Sequence, residues 1–154
     1  MMEKKINAAI VGLGLLGGSL AKALTKDARF RVGVWARREE TRRWAMENHV
    51  GDEVFSELPE LLKTADIAVL CMPVESAISM FEQCSRYLPP ASVVTDIGSV
   101  KLDICQAAAK FPELHFIGSH PMAGTEKSGY ENAFESLYDN ADVFICSAPD
   151  DSEA

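Results

Sequence analysis

The strand-like run Ile6-Asn7-Ala8-Ala9-Ile10-Val11 passes directly into Gly12-Leu13-Gly14-Leu15-Leu16-Gly17-Gly18, and few folds can accommodate that junction. A chain leaving a buried strand must here turn tightly into a helix. Gly12 permits the turn, Gly14 removes a side chain where a ligand would approach the backbone, and Gly17 lets the new helix press on the strand. The helical run Ser19-Leu20-Ala21-Lys22-Ala23-Leu24 follows. Its N-terminus offers unpaired N–H groups and the positive end of a helix dipole to an anion. In this context the glycines predict a pyrophosphate seat formed by Gly12, Gly14, Leu15, Leu16 and Gly17. A glycine-rich connection that holds no ligand is the plainer alternative.

Downstream, apolar runs alternate with amphipathic ones, the pattern of an α/β chain with a parallel sheet. Strands are predicted at Phe30–Ala36, Glu53–Phe55, Ile67–Met72, Ser92–Asp96, His115–Gly118 and Val143–Ser147. Leu16, Leu20 and Leu24 recur at helical spacing, as do Val74, Ile78 and Phe81, and Ile104, Ala107, Ala108 and Phe111. Ser56–Leu62 reads as a short helix, with Pro59 tolerated in its first turn. The expectation is an α/β, doubly wound parallel sheet with helices on both faces, filling residues 1–154 as one domain. After Val143–Ser147 only a short acidic stretch remains, so the sequence reads as the N-terminal portion of a two-domain protein.

Composition narrows the class without naming an activity. A net charge of −8 argues against a nucleic-acid-binding surface. No apolar run is long enough to span a bilayer, and Met1-Met2-Glu3-Lys4-Lys5 leads into the first strand without a hydrophobic signal segment. Cys71, Cys84, Cys105 and Cys146 form no Cys-x-x-Cys pair and sit in predicted strands and helices. They are expected to be buried free thiols in a reducing cytoplasm, with no metal site.

The end of the second strand bears on the choice of nucleotide. Dinucleotide sites that take an unphosphorylated ribose carry an acidic residue there. This chain has Ala36-Arg37-Arg38 instead. A small residue followed by two guanidinium groups suits a 2′-phosphate, to which arginine makes charge-assisted bonds while its plane stacks on adenine. NADP is therefore expected in preference to NAD. The competing reading makes Arg37 and Arg38 solvated residues leading into a helix, paired with Glu39, Glu40 or Glu47.

Two later segments fall at strand ends, where ligands of open α/β sheets sit. One is Thr95-Asp96-Ile97-Gly98-Ser99-Val100-Lys101, and the other runs from Gly118 through Ser119-His120-Pro121-Met122-Ala123-Gly124-Thr125-Glu126-Lys127-Ser128 to Gly129. His120, just past a predicted strand end and stiffened by Pro121, could take a proton from a substrate hydroxyl as hydride leaves the adjacent carbon. Ser99 could orient that imidazole or the nicotinamide carboxamide. His49 and His115 lack such placement and read as ordinary surface or packing residues.

Taken together, Gly12–Leu20, Asp96–Lys101 and Gly118–Glu126 resemble the prephenate/arogenate dehydrogenase family. The glycine turn is shared by many dehydrogenases; the Gly-Ser-Val-Lys loop followed by His-Pro-Met-Ala-Gly is far more specific. The resemblance covers essentially the whole chain but only the N-terminal half of such an enzyme. It implies a Rossmann-type NAD(P)-binding domain in tyrosine biosynthesis, with His120 drawing off the ring-hydroxyl proton and Ser99 supporting it. It further implies that Cys71-Met72-Pro73 lines the cofactor, and that a C-terminal helical domain supplies substrate contacts and a homodimer interface. A 6-phosphogluconate or β-hydroxyacid-type dehydrogenase shares the first part of the pattern without leading one to expect His-Pro-Met-Ala-Gly. A stand-alone NAD(P)-binding module is the non-enzymatic alternative, and it fits a chain of this length.

Overall fold

The computed structural model describes residues 4–146. Seven strands alternate with five helices: β1 (Ile6–Val11), α1 (Leu15–Thr25), β2 (Phe30–Trp35), α2 (Glu39–Glu47), β3 (Glu53–Val54), α3 (Leu58–Leu62), β4 (Ile67–Leu70), α4 (Val74–Tyr87), β5 (Val93–Asp96), α5 (Leu102–Ala108), β6 (His115–Pro121) and β7 (Val143–Cys146). The sheet order is β3-β2-β1-β4-β5-β6-β7. The chain thus winds outward from β1 to one edge, returns to β4 beside β1, and winds to the other edge. Such a reversal opens a crevice at the carboxyl ends of β1 and β4.

Alternation along β1 explains why both faces are covered. Ala9 and Val11 point into a cluster with Leu61, Phe81, Val94 and Ile104, under α3, α4 and α5. Ile10 points the other way, into a cluster with Ala21, Val32, Val34 and Ala45 under α1 and α2. Burial on both sides is what makes these strands read as nearly continuous apolar runs. The expected doubly wound, Rossmann-type α/β sheet is what forms.

The differences are local. β7 runs antiparallel to β6, with His120 opposite Phe144 and Gly118 opposite Cys146, while the other pairs are parallel. A parallel return needs a crossover, usually helical. Residues 122–142 hold only two 3₁₀ turns, Tyr130–Asn132 and Glu135–Tyr138, so the chain comes back from the edge it left. That pairing lengthens β6 to Pro121, and His120 therefore lies inside a strand, not just past its end. The predicted Ser147 of β7 and the acidic stretch after it lie outside the described residues. α5 ends at Ala108, yet Phe111 still packs against Phe81, ring centroids 5.9 Å apart.

The cysteines are free, but only Cys71 and Cys84 are buried; Cys105 and Cys146 are half-exposed near the β7 edge of the sheet. Burial pushes the Cys84 thiol up to about 12. On β7, Val143, Phe144 and Ile145 are all more than half exposed. Among the described residues, no helix is long and apolar enough to cross a membrane.

Candidate functional site: a two-lobed cleft across the glycine turn

The turn after β1 is built by close approach. Gly12 adopts φ +102°, and a Cβ there would lie 2.5 Å from the Cys71 carbonyl oxygen. At Gly17 a Cβ would lie 2.0 Å from the Gly12 carbonyl oxygen and 2.8 Å from the Cys71 Cβ. These two glycines let α1 start directly against the ends of β1 and β4. Gly14 differs: nothing lies within 4 Å of where its Cβ would be. It precedes α1 without a side-chain cap, so the first-turn N–H groups open onto vacant space. That opening, at the positive end of an 11-residue helix, fits a pyrophosphate lying against the backbone.

Two cavities flank this opening. The first, of about 560 Å³, is lined by Gly12, Gly14, Ala36, Arg37 and Arg38 among others. The second, of about 550 Å³, is lined by Gly14, Leu15, Leu16, Gly17, Ser99 and His120 among others. Gly14, Cys71, Met72 and Pro73 line both, so the two are lobes of one cleft bent over the turn. Every residue proposed from the sequence as a cofactor or catalytic contact thus borders this cleft. His49 and His115 line neither lobe, and both are exposed.

At the far end of the first lobe, Ala36 is buried where β2 ends, while Arg37 and Arg38 are exposed. The Arg38 guanidinium pairs with Glu40 at 3.1 Å, across two exposed side chains. Arg42 donates to the Ala36 and Arg37 carbonyls at 2.7 and 3.0 Å, which fixes the backbone that presents both arginines. An exposed pair of this kind contributes little, about 0–1 kcal/mol, and yields readily to a phosphate.

At the end of the second lobe, His120 is half-buried on β6 and Ser99 is exposed on the loop between β5 and α5. Between the lobes, Cys71 is buried, and burial followed by the nearby Asp96 charge raises its thiol far above the ordinary range. It acts there as an inert wall. Although the chain carries net charge −8, no carboxylate lines either lobe among the described residues, whereas Arg37, Arg38 and Lys127 do. The cleft is thus a cationic concavity in an acidic molecule.

Sequence reasoning assigned no role to several lining residues. Ser76, Ser79 and Met80 face the first lobe from α4, at three- and four-residue spacing that could have marked a second, polar stripe beside Ile78. Thr125 and Lys127 face the second lobe from residues 122–142. Loop residues such as these carry no periodicity from which to read direction.

Comparison with known proteins places this cleft. The family described as "Prephenate dehydrogenase, nucleotide-binding domain" matches residues 20–154. Prephenate dehydrogenase of Lactococcus lactis is 34% identical over 137 residues, covering 86% of this chain and 38% of that protein. The solved arogenate dehydrogenase of Synechocystis superposes with a TM-score of 0.87 at 35% identity, over 94% of this chain and 51% of that one. Prephenate dehydrogenase of Aquifex aeolicus, solved with hydroxyphenyl propionate and NAD+, gives a TM-score of 0.87 at 28% identity, over 97% of this chain and 53% of that one. The chain spans less than half the length of the curated relatives it matches. It belongs to the prephenate dehydrogenase family, and the part of that family it matches is the nucleotide-binding domain.

Proposed function

We propose that this chain is the NADP-binding half of an enzyme that oxidatively decarboxylates prephenate or arogenate, a cytoplasmic step in making tyrosine. The single observation that carries the reading is the two-lobed cleft, with Arg37 and Arg38 at one end and His120 and Ser99 at the other. Arg37 and Arg38 would hold the 2′-phosphate in the first lobe, the N–H groups at the start of α1 would hold the pyrophosphate, and Ser99 and His120 would border the nicotinamide and substrate in the second. When bound, the nicotinamide supplies the hydride acceptor. The NAD+ in the Aquifex aeolicus structure belongs to that protein; in this chain, residues 36–38 favour the phosphorylated form.

Substrate here is a cyclohexadienol with a hydroxyl opposite a ring carboxylate. His120 accepts the hydroxyl proton as the carbinol carbon gives up hydride and becomes a carbonyl. The bond to the carboxylate then breaks, carbon dioxide leaves, and its electron pair completes the aromatic ring. The proton returns to the phenolic oxygen. An imidazole suits this exchange because one ring nitrogen can accept the proton and later return it. Ser99 orients the imidazole or the carboxamide from across the lobe.

In the full-length protein we infer that a helical domain following this one closes the second lobe and forms a homodimer. The exposed Val143, Phe144 and Ile145 and the length of the relatives support this. The chain alone is then expected to bind NADP with little turnover. The test is reduction of NADP by prephenate or arogenate, followed by absorbance in the full-length protein. His120→Asn should lower turnover by about 10²–10⁴-fold with NADP affinity nearly unchanged. Near-full turnover in that variant removes His120 from the chemistry.

A further inference from the structure

Behind the second lobe lies a charged cluster of Asp96, Lys101 and Ser119, none of which lines either lobe. Asp96, the last residue of β5, is 1% exposed, and its carboxylate is fully engaged. Oδ2 accepts the Gly98 N–H at 2.8 Å and the Lys101 ammonium; Oδ1 accepts the Ser119 N–H at 3.3 Å. Lys101, whose side chain is 15% exposed, also donates to the Ser119 carbonyl at 2.8 Å. The Ser119 hydroxyl donates to the Asp96 carbonyl and accepts from the Thr95 hydroxyl at 3.2 Å.

Each of these bonds crosses between the same two pieces of chain or stiffens one of them. Gly98 and Lys101 bracket Ser99, and Ser119 is the immediate neighbour of His120. The Asp96–Lys101 pair closes the Ser99 loop on itself, and the bonds that both residues make to Ser119 tie that loop to the His120 strand. A buried ion pair is a poor source of stability, since desolvation offsets its attraction. Its strength is directional: a carboxylate accepting three donors and an ammonium shared by two acceptors permit one arrangement of loop and strand.

From this geometry we propose that Asp96, Lys101 and Ser119 are positioning residues that set the spacing of Ser99 and His120 across the nicotinamide lobe. The inference rests on the nucleotide reading above and adds to it the device that shapes one lobe alone. None of the three side chains lines either lobe, but Ser99 and His120, which they hold, line the second lobe and not the first. A change in the cluster should accordingly alter binding of a whole dinucleotide and spare binding of its adenosine half.

The experiment titrates the chain with NADPH and with adenosine 2′,5′-bisphosphate, which reaches only the first lobe. The variant Asp96→Asn with Lys101→Met removes both charges together, so neither is left buried and unpaired. It is expected to weaken NADPH about tenfold while holding the bisphosphate within about twofold of the unaltered chain. Lys101→Arg, which keeps a cation beside Asp96, should recover most of the NADPH affinity. Ser119→Ala leaves the ion pair and the fold in place, and should weaken NADPH about threefold with the bisphosphate unaffected. It reads the same split should the double variant fail to fold. Equal loss of both ligands, or no loss of NADPH, overturns the proposal. If the unaltered chain binds neither ligand, the nucleotide reading itself falls, and this inference with it.

Discussion

Gly17 leaves no choice of residue, and the reason is backbone and not a movable side chain. Alanine is the better helix former by about 1 kcal/mol. A methyl group 2.0 Å from the Gly12 carbonyl oxygen would nonetheless force α1 away from the turn. Overpacking of that kind costs about 1–3 kcal/mol or more, so the steric effect wins. Gly17→Ala should lower the urea midpoint and weaken nucleotide binding together; unchanged stability would mean the turn has slack. Arg37 and Arg38 present the opposite case, exposed side chains whose worth depends on a ligand. Replacing both with alanine should cut the preference for NADP over NAD by about tenfold or more, since hydrogen bonds to charged groups contribute about 1.5–3 kcal/mol. Calorimetry reads the outcome, and equal affinity of the unaltered chain for the two nucleotides would end the assignment of that lobe. Both features were legible in sequence because each is a residue type at a fixed offset from a strand end. The strand setting of His120 was not. It depends on pairing with Phe144, whose partner lies across residues 122–142, and no local pattern announces a contact that distant.

Helix α1 does two jobs, and only the first could be read from the chain. Its uncapped N-terminus opens onto the cleft at Gly14; its flank carries residues 122–142. Ser19, fully buried, accepts the Phe134 N–H at 3.0 Å, Lys22 donates to the Ala133 carbonyl at 2.9 Å, and the Tyr138 hydroxyl donates to the Leu16 carbonyl at 3.0 Å. Tyr130 packs on Trp44 of α2, ring centroids 5.0 Å apart. These bonds replace the periodic apolar stripe that a crossover helix would have shown, so no helical pattern marks the segment in the sequence. Losing a hydroxyl bond costs about 0.5–1.5 kcal/mol, more where a buried donor is left unpaired. Ser19→Ala combined with Tyr138→Phe should therefore raise amide hydrogen exchange across residues 122–142 while leaving β1 protected. Uniform loss of protection would instead make the segment an integral part of the core.

For the molecule as a whole, the alternation of apolar and amphipathic runs was enough to anticipate a sheet covered on both faces, because burial on each side leaves the strands apolar throughout. The order β3-β2-β1-β4-β5-β6-β7 follows from right-handed crossovers and one reversal. What pattern could not supply was the direction of the last strand, decided by the lack of a helix before it. That reversal brings Lys127 and its neighbours back across the second lobe and along the flank of α1. One helix consequently begins at the glycine turn between the two lobes and, along its length, moors the segment whose Thr125 and Lys127 line the second. A change along that flank, at Ser19 or Lys22, therefore bears on a cavity wall some distance down the same rod, so the rigidity of one helix is shared by two pieces of the cleft that are remote in sequence.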